Sequence, residues 1–146
     1  MNQSIIFRQY DWGSDEYGQA LILRNRLLRR PLGLCLYDEE LGLEKAFLHF
    51  GAFQNGQLIA TLLLVPESNG LYRMKQVATA EAFQKKGIGL ELVRFCEEAL
   101  RNKGASGIVL HARKTAQGFY EKAGYTPVGE PFLEVGIPHQ AMEKRW

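Results

Sequence analysis

The chain has little of what marks several large protein classes. Only two of its 146 residues are cysteine. Cys35 and Cys96 have neither metal-ligand nor redox spacing, which argues against a disulfide scaffold or a zinc module and suits a reduced, intracellular compartment. Both read as small apolar residues of the interior. The longest apolar stretch, residues 58–65, is far too short to cross a bilayer, so no membrane partner is expected. Arg8, Asp11, Asp15 and Glu16 break up the first turns of sequence, so no signal-peptide core is expected there and the cytoplasm is the default compartment. Charge of one sign is lacking too. The 18 basic and 16 acidic side chains leave a net charge of +2, too small to argue for nucleic acid. No repeat, low-complexity tract or linker is visible. Two phosphate-binding fingerprints are also missing, namely G-x-G-x-x-G with a following acidic residue and G-x-x-x-x-G-K-[ST].

What remains has the size and balance of one soluble domain, residues 1–146, with 46% hydrophobic residues to build a core. Residues 4–9 can form a first strand. Ser14 or Asp15 can cap a helix running to about Arg30, because Ala20, Leu23 and Leu27, with Leu21 and Leu28, share one face. Pro31 and Gly33 stop it. Residues 34–43 are irregular. Strands over 47–54 and 57–65 flank Asn55-Gly56, a strong hairpin signal because both residues tolerate positive φ. A strand over residues 71–79 follows, then a helix over 87–102, a strand over 107–113, and a short helix capped by Thr115 and ending at Ala123. Residues 126–135 and 139–146 complete the pattern as strands separated by Gly136-Ile137-Pro138. The order β-α-β-β-β-α-β-α-β-β describes an α/β domain around a mixed sheet.

The most informative segment is Gln84-Lys85-Lys86-Gly87-Ile88-Gly89-Leu90, which follows the strand ending in Val77-Ala78-Thr79 and opens a helix. A glycine-rich turn at a helix start exposes backbone N–H groups with no intrahelical acceptor. The helix dipole adds partial positive charge at the same place, which suits phosphate. Gly87 and Gly89 let a pyrophosphate approach the backbone, and Lys85 and Lys86 add charge beside it. About thirty residues on, the chain reads Ala116-Gln117-Gly118-Phe119-Tyr120-Glu121-Lys122-Ala123-Gly124-Tyr125. Q-x-x-G-x-G after a strand, followed by A-x-x-F-Y-x-x-x-G-Y, resembles the two signature blocks of the GNAT superfamily of acetyl-CoA-dependent N-acetyltransferases.

That resemblance implies the GNAT fold: a mixed central sheet of six to seven strands flanked by about four helices, with splayed parallel strands holding acetyl-CoA. Those strands would be the ones over 71–79 and 107–113. It implies cofactor contacts from Val77, Ala78, Thr79, Gln84, Lys85, Lys86, Gly87, Ile88, Gly89, Leu90 and Phe119. Gln84, where arginine is commoner, would meet phosphate by hydrogen bond. A backbone N–H near Val77 would hold the thioester carbonyl. Tyr120 aligns with the tyrosine that often acts as general acid, because a phenol of pKa about 10 keeps its proton at neutral pH. The plainer alternative for Tyr120 is an aromatic packed on the sheet. Phe119 and Tyr125 read as core or as the wall beside the cofactor.

The general base stays open among Glu134, His139, His111 and His49. Glu134-Val135-Gly136-Ile137-Pro138-His139 places polar groups at both ends of a tight turn and resembles a C-terminal E-x-G-I-x-H segment of some bacterial GNAT proteins. It puts Glu134 and His139 first. His49 reads as a satisfied sheet histidine. Arg24, Arg26, Arg29 and Arg30 read as a solvated helix face; the alternative, which the resemblance implies, is a wall of the acceptor site that suits an acidic acceptor. No metal site is expected. The expected activity is direct acetyl transfer from acetyl-CoA to a primary amine of an unidentified small molecule, peptide or protein. The rival is a CoA-binding sensor or interaction module without catalysis. A homodimer through residues 139–146, anchored by Trp146, is a further expectation.

Overall fold

The computed structural model describes residues 4–146. Their seven strands lie in one sheet of order β1-β2-β3-β4-β5-β7-β6. The strands are β1 (Ile6–Tyr10), β2 (Leu48–Gln54), β3 (Gln57–Pro66), β4 (Leu71–Thr79), β5 (Gly107–Arg113), β6 (Thr126–Glu134) and β7 (Ile137–Arg145). All neighbours are antiparallel except β4 and β5, which are parallel. Three α-helices flank the sheet: α1 (Asp15–Arg24), α2 (Ile88–Asn102) and α3 (Gln117–Lys122).

Each helix follows from its sequence, with two departures. The Ser14 hydroxyl accepts the Tyr17 N–H at 3.2 Å and caps α1, while Asp15 and Glu16 meet the positive end of its dipole. The helix expected to reach Arg30 is α-helical only to Arg24. It continues as a π-helical turn, Asn25–Arg29, and a 3₁₀ turn, Arg30–Leu32, before Gly33 ends it at φ 72°. Thr115 does not cap α3. It lies inside a 3₁₀ turn, Lys114–Ala116, and α3 has no side-chain cap. α2 is the clearest helix. Ile88, Leu92, Val93, Cys96 and Leu100 recur at helical spacing and are buried. They pack on Phe50, Leu62, Leu64, Met74, Ile108 and Leu110 of the sheet. The second face of the sheet is covered over only part of its width, by α1, through Tyr17 and Ala20 against Tyr10 and Phe53.

The turns decide the remaining details. Asn55 and Gly56 take φ 54° and 77°, joining β2 to β3 as the sequence predicts. Residues 136–138 do not separate the last two strands. Val135 and Gly136 form the turn, at φ 46° and 72°, and Glu134 pairs with Ile137. His139 therefore lies within β7. That strand sits between β5 and β6, so the segment expected to offer a dimer edge closes its own sheet. Trp146 is not a free anchor either: its indole N–H donates to the Ala105 carbonyl at 2.8 Å and Arg101 stacks on its ring. Cys96 is buried, whereas Cys35 is exposed in the loop between α1 and β2, where short 3₁₀ turns leave little apolar cover.

One feature of the sheet builds a cleft. β4 and β5 pair only from Leu71↔Gly107 to Met74↔Leu110 and then part. Opposite β3, Thr61 pairs with Ala78 but Leu63 pairs with Lys75, so β4 carries an extra residue there. Gln76 takes φ 54° at this bulge. A bulge bends its strand and increases local twist. The β5-facing edge of residues 75–79 is thereby left without a strand partner.

Candidate active site

A cleft of about 860 Å³ opens where β4 and β5 diverge. Val77 and Gln84 line it from β4 and the turn that follows, and Tyr120 lines it from α3. His111, Glu134 and His139 line it from β5, β6 and β7.

The turn after β4 has the form an anion site needs. Lys85 and Gly87 have φ 63° and 81°, and alternation of this kind turns successive N–H groups to one side. A Cβ on Gly87 would meet nothing within 4 Å, so its glycine answers the backbone conformation and not crowding. α2 has no side-chain cap, and its first backbone bond at this end runs from Glu91 N–H to the Gly87 carbonyl at 3.0 Å. The N–H groups of residues 85–90 find no acceptor among the described residues. Lys85 and Lys86 are exposed beside them.

Two of the expected contacts change character here. The Gln84 side-chain amide donates to the Thr79 carbonyl at 2.9 Å, so it ties the turn to the end of β4 and does not point its donor outward. Ala78 and Ile88 have buried side chains and can offer a ligand only backbone. Gly89 is close-set: a Cβ there would lie 3.4 Å from the Thr79 hydroxyl and 3.5 Å from the Phe119 ring. Leu90 and Phe119 are half-buried.

Tyr120 is 8% exposed, stands edge-on to Phe119 and Tyr125, and has no hydrogen-bond partner among the described residues. Burial pushes its phenol up to about 12. It therefore keeps its proton throughout the neutral range. Tyr125 is core: its hydroxyl donates to the buried Glu97 at 2.8 Å.

The polar groups of the last hairpin converge. Glu134 Oε1 lies 2.9 Å from His111 Nδ1, and Glu134 Oε2 lies 3.6 Å from His139 Nε2. His139 is almost fully buried, and its Nδ1 donates to the Ile137 carbonyl at 2.7 Å. With a carboxylate on its Nδ1, His111 is held in the tautomer that leaves Nε2 free to accept a proton. Phe132 lies edge-on to His111 and stacks on His139, fixing both rings. Sequence reasoning put His111 behind Glu134 and His139. Its signal was the alternation along β5, where His111 follows buried Leu110 and must face the uncovered side.

A second polar group lies behind β4 and was misread from sequence. Arg24 is 1% exposed and not part of a solvated face. Its two terminal nitrogens grip both oxygens of Glu44, at 2.9 and 2.6 Å, and its Nε donates to Gln76 Oε1 at 2.7 Å. The Tyr17 hydroxyl donates to the same Glu44 at 2.8 Å. Arg26 and Arg29 pair with Glu81 and Glu39. His49 is buried, with Nε2 at 2.8 Å from the Glu44 carbonyl, and stays away from the cleft as a structural sheet residue. Its Nδ1 has no partner. No group of metal-ligating side chains is found among the described residues, and no helix there is long and apolar enough to cross a membrane.

A splayed β4–β5 pair leading into an uncapped glycine turn, with an F-Y helix beside it, defines an acetyltransferase class. The family model for the acetyltransferase (GNAT) domain matches residues 35–146, and the chain belongs to that family. Its cofactor is acetyl-CoA. Among similar proteins is YitI of Bacillus subtilis, an uncharacterized N-acetyltransferase, 32% identical over 123 residues that cover 79% of this chain and 81% of that one. An acyl-CoA N-acyltransferase from Pseudomonas aeruginosa superposes with a TM-score of 0.78 at 26% identity, covering 98% of this chain and 99% of the other. An aminoglycoside 6′-N-acetyltransferase complexed with coenzyme A has the same fold, with a TM-score of 0.81 at 17% identity over 96% of both chains.

Proposed function

We propose that this chain transfers the acetyl group of acetyl-CoA directly to the primary amine of a small molecule or peptide. The observation that carries this reading is the meeting of Tyr120, His111, Glu134 and His139 in the one cleft where β4 and β5 part. The free N–H groups of residues 85–90 hold the pyrophosphate, with Lys85 and Lys86 adding charge. The unpaired edge at Val77 and Thr79 takes the pantetheine arm as an added strand would. Phe119 and Leu90 wall it. When bound, acetyl-CoA supplies the acetyl thioester.

The protein's part is to orient and to move protons. An amine nitrogen must attack as the free base, forming the N–C bond as the C–S bond breaks. Nε2 of His111, oriented by Glu134, accepts the amine proton, and buried His139 packs behind the carboxylate. A backbone N–H near Val77 meets the negative charge developing on the carbonyl oxygen. Tyr120 meets the charge developing on sulphur. A thiolate, with pKa about 8.5, is a weaker base than this tyrosinate, so Tyr120 donates a strong hydrogen bond and the proton lost by the amine completes the thiol. No enzyme-bound acetyl intermediate is required. The two free cysteines fit a reducing cytoplasm as the place of action.

The test is thiol release from acetyl-CoA over a panel of primary amines, with the acetylated amine identified by mass. Amine-dependent release with an N-acetyl product is expected. CoA binding without release for any amine supports the non-catalytic binding module instead.

A further inference from the structure

Two cations of the cleft, Lys75 and Arg113, have no part in the transfer chemistry. Where β4 and β5 part, the walls of the cleft are Arg73 and Lys75 of β4 and His111 and Arg113 of β5. Met74, Leu110 and Ala112 point into the core beneath α2. Strand alternation therefore turns Arg73, Lys75, His111 and Arg113 onto the opposite, uncovered face. Arg29 reaches the same cleft from the end of the first helix.

The charges there do not balance. Arg29 is paired with Glu39 at 2.6 Å and Arg73 with Glu67 at 3.2 Å. Lys75 and Arg113 line the cleft with no hydrogen-bond or ion-pair partner among the described residues. The cleft's carboxylate, Glu134, is already taken by His111 at 2.9 Å. Two cations with no bonded carboxylate, set on one concave wall, are placed to receive an anion from solution. The phosphates of the cofactor are provided for at residues 85–90.

We infer that the acceptor is a small primary amine that itself carries an anionic group, a carboxylate or a phosphate, held by Lys75 and Arg113 while its amine faces His111 and Glu134. The inference rests on the acetyl-transfer reading of this cleft. Arg113 brings a planar fork suited to either anion, and Lys75 brings a point charge. The same positive surroundings favour the uncharged form of the incoming amine, which is the form that attacks. They also oppose polycations such as polyamines and aminoglycosides. The counter-pull for a polycation is a separate pocket of about 270 Å³ on the other side of Lys75, where Glu39 and Glu40 lie.

The test compares matched acceptors that differ only in the anion: 4-aminobutyrate against butylamine, and phosphoethanolamine against ethanolamine, with spermidine as the polycation. The anionic member of at least one pair should have the higher kcat/KM, and the two pairs tell carboxylate from phosphate. In Lys75→Gln and Arg113→Gln that preference should fall roughly tenfold to a hundredfold, the usual cost of one charge-assisted hydrogen bond. Preference for the neutral amines or spermidine, or a preference unmoved by both variants, overturns the inference. Where no amine is acetylated at all, the transfer reading has failed. Calorimetry of each anionic amine against the protein–CoA complex then still decides the anion site, by binding that both variants weaken or by none.

Discussion

Arg24 donates a 2.7 Å hydrogen bond to Gln76, the residue of β4 that takes φ 54°, and it does so from a guanidinium that is 1% exposed. A side-chain-bearing residue with positive φ inside a strand is uncommon and carries a backbone cost. Here a buried ion pair holds it. The chain from Tyr17 through Glu44 and Arg24 to Gln76 connects α1 to the bulge that parts β4 from β5. The cleft thus depends on a polar group buried behind it.

Arg24→Met leaves Glu44 buried without its partner. Breaking a buried pair in this way costs about 3–5 kcal/mol, and the urea midpoint should fall accordingly. Adding Glu44→Gln to Arg24→Met removes the stranded charge and should recover part of the loss. Equal midpoints for wild type and Arg24→Met contradict the role given to the pair.

Acid should weaken the fold in two steps. Burial pushes the His49 imidazole below its ordinary value, more strongly than the Glu44 carbonyl hydrogen bond raises it. Burial alone would raise the Glu44 carboxyl, but the hydrogen bonds and charge of Arg24, with Tyr17 and His49, outweigh it and hold it below the usual carboxylate range. A group depressed in the folded state adds stability above its unfolded value and loses it as pH falls toward its folded one. His49 therefore costs stability from about pH 6.5 downward, and Glu44 from about pH 4.3 downward. Urea midpoints at pH 7.5, 5.5 and 4 should fall at each step, and His49→Gln should shrink the first. A midpoint unchanged from pH 7.5 to 5.5 removes His49 from the account.

Gly89 tests the cofactor turn. An added methyl would sit in ordinary contact with Thr79 and Phe119, so Gly89→Ala should fold normally. The branched side chain of Gly89→Val fills the approach to the free N–H groups. Losing one charge-assisted hydrogen bond to phosphate weakens binding roughly tenfold to a hundredfold. Calorimetric CoA affinity equal to wild type in folded Gly89→Val removes the pyrophosphate from this turn.

Glu134 and His111 should behave as one unit. Each of Glu134→Gln and His111→Gln is expected to slow amine acetylation by roughly 10²-fold or more with CoA affinity retained. The double variant should be no slower than the slower single one, because both act through one proton path. Fully multiplied losses show instead that the two residues act separately.

Much of this was legible in the sequence, for local reasons. Asn55-Gly56 fixes a hairpin by backbone preference alone, α2 is set by its apolar spacing, and the 84–89 turn is set in part by Gly87, whose φ of 81° few other residues adopt. What the sequence hid is non-local. Arg24 looked solvated because its neighbours Arg26 and Arg29 are at the surface, and nothing in the helix reveals that Glu44 and Gln76 close over it. The place of β7 between β5 and β6 turned an expected free edge into an interior strand. Glu134 and His139 were visible as a pair flanking a turn, but His111 joins them only because β5 lies beside β7. The bulge at Gln76 has no sequence signal, since it arises from a register shift against β3.

Tyr120→Phe is the most direct test of the central claim that this cleft carries out acetyl transfer with Tyr120 meeting the departing sulphur. The change keeps the ring and its packing against Phe119 and Tyr125 and removes only the hydroxyl. Single-turnover transfer to the best amine should slow on the order of 10²–10³-fold, the cost of losing one donor to a developing anion, while calorimetric CoA affinity stays near wild type. Transfer at the wild-type rate contradicts the role of the hydroxyl. Loss of CoA binding together with the fold shows instead that Tyr120 is a core residue.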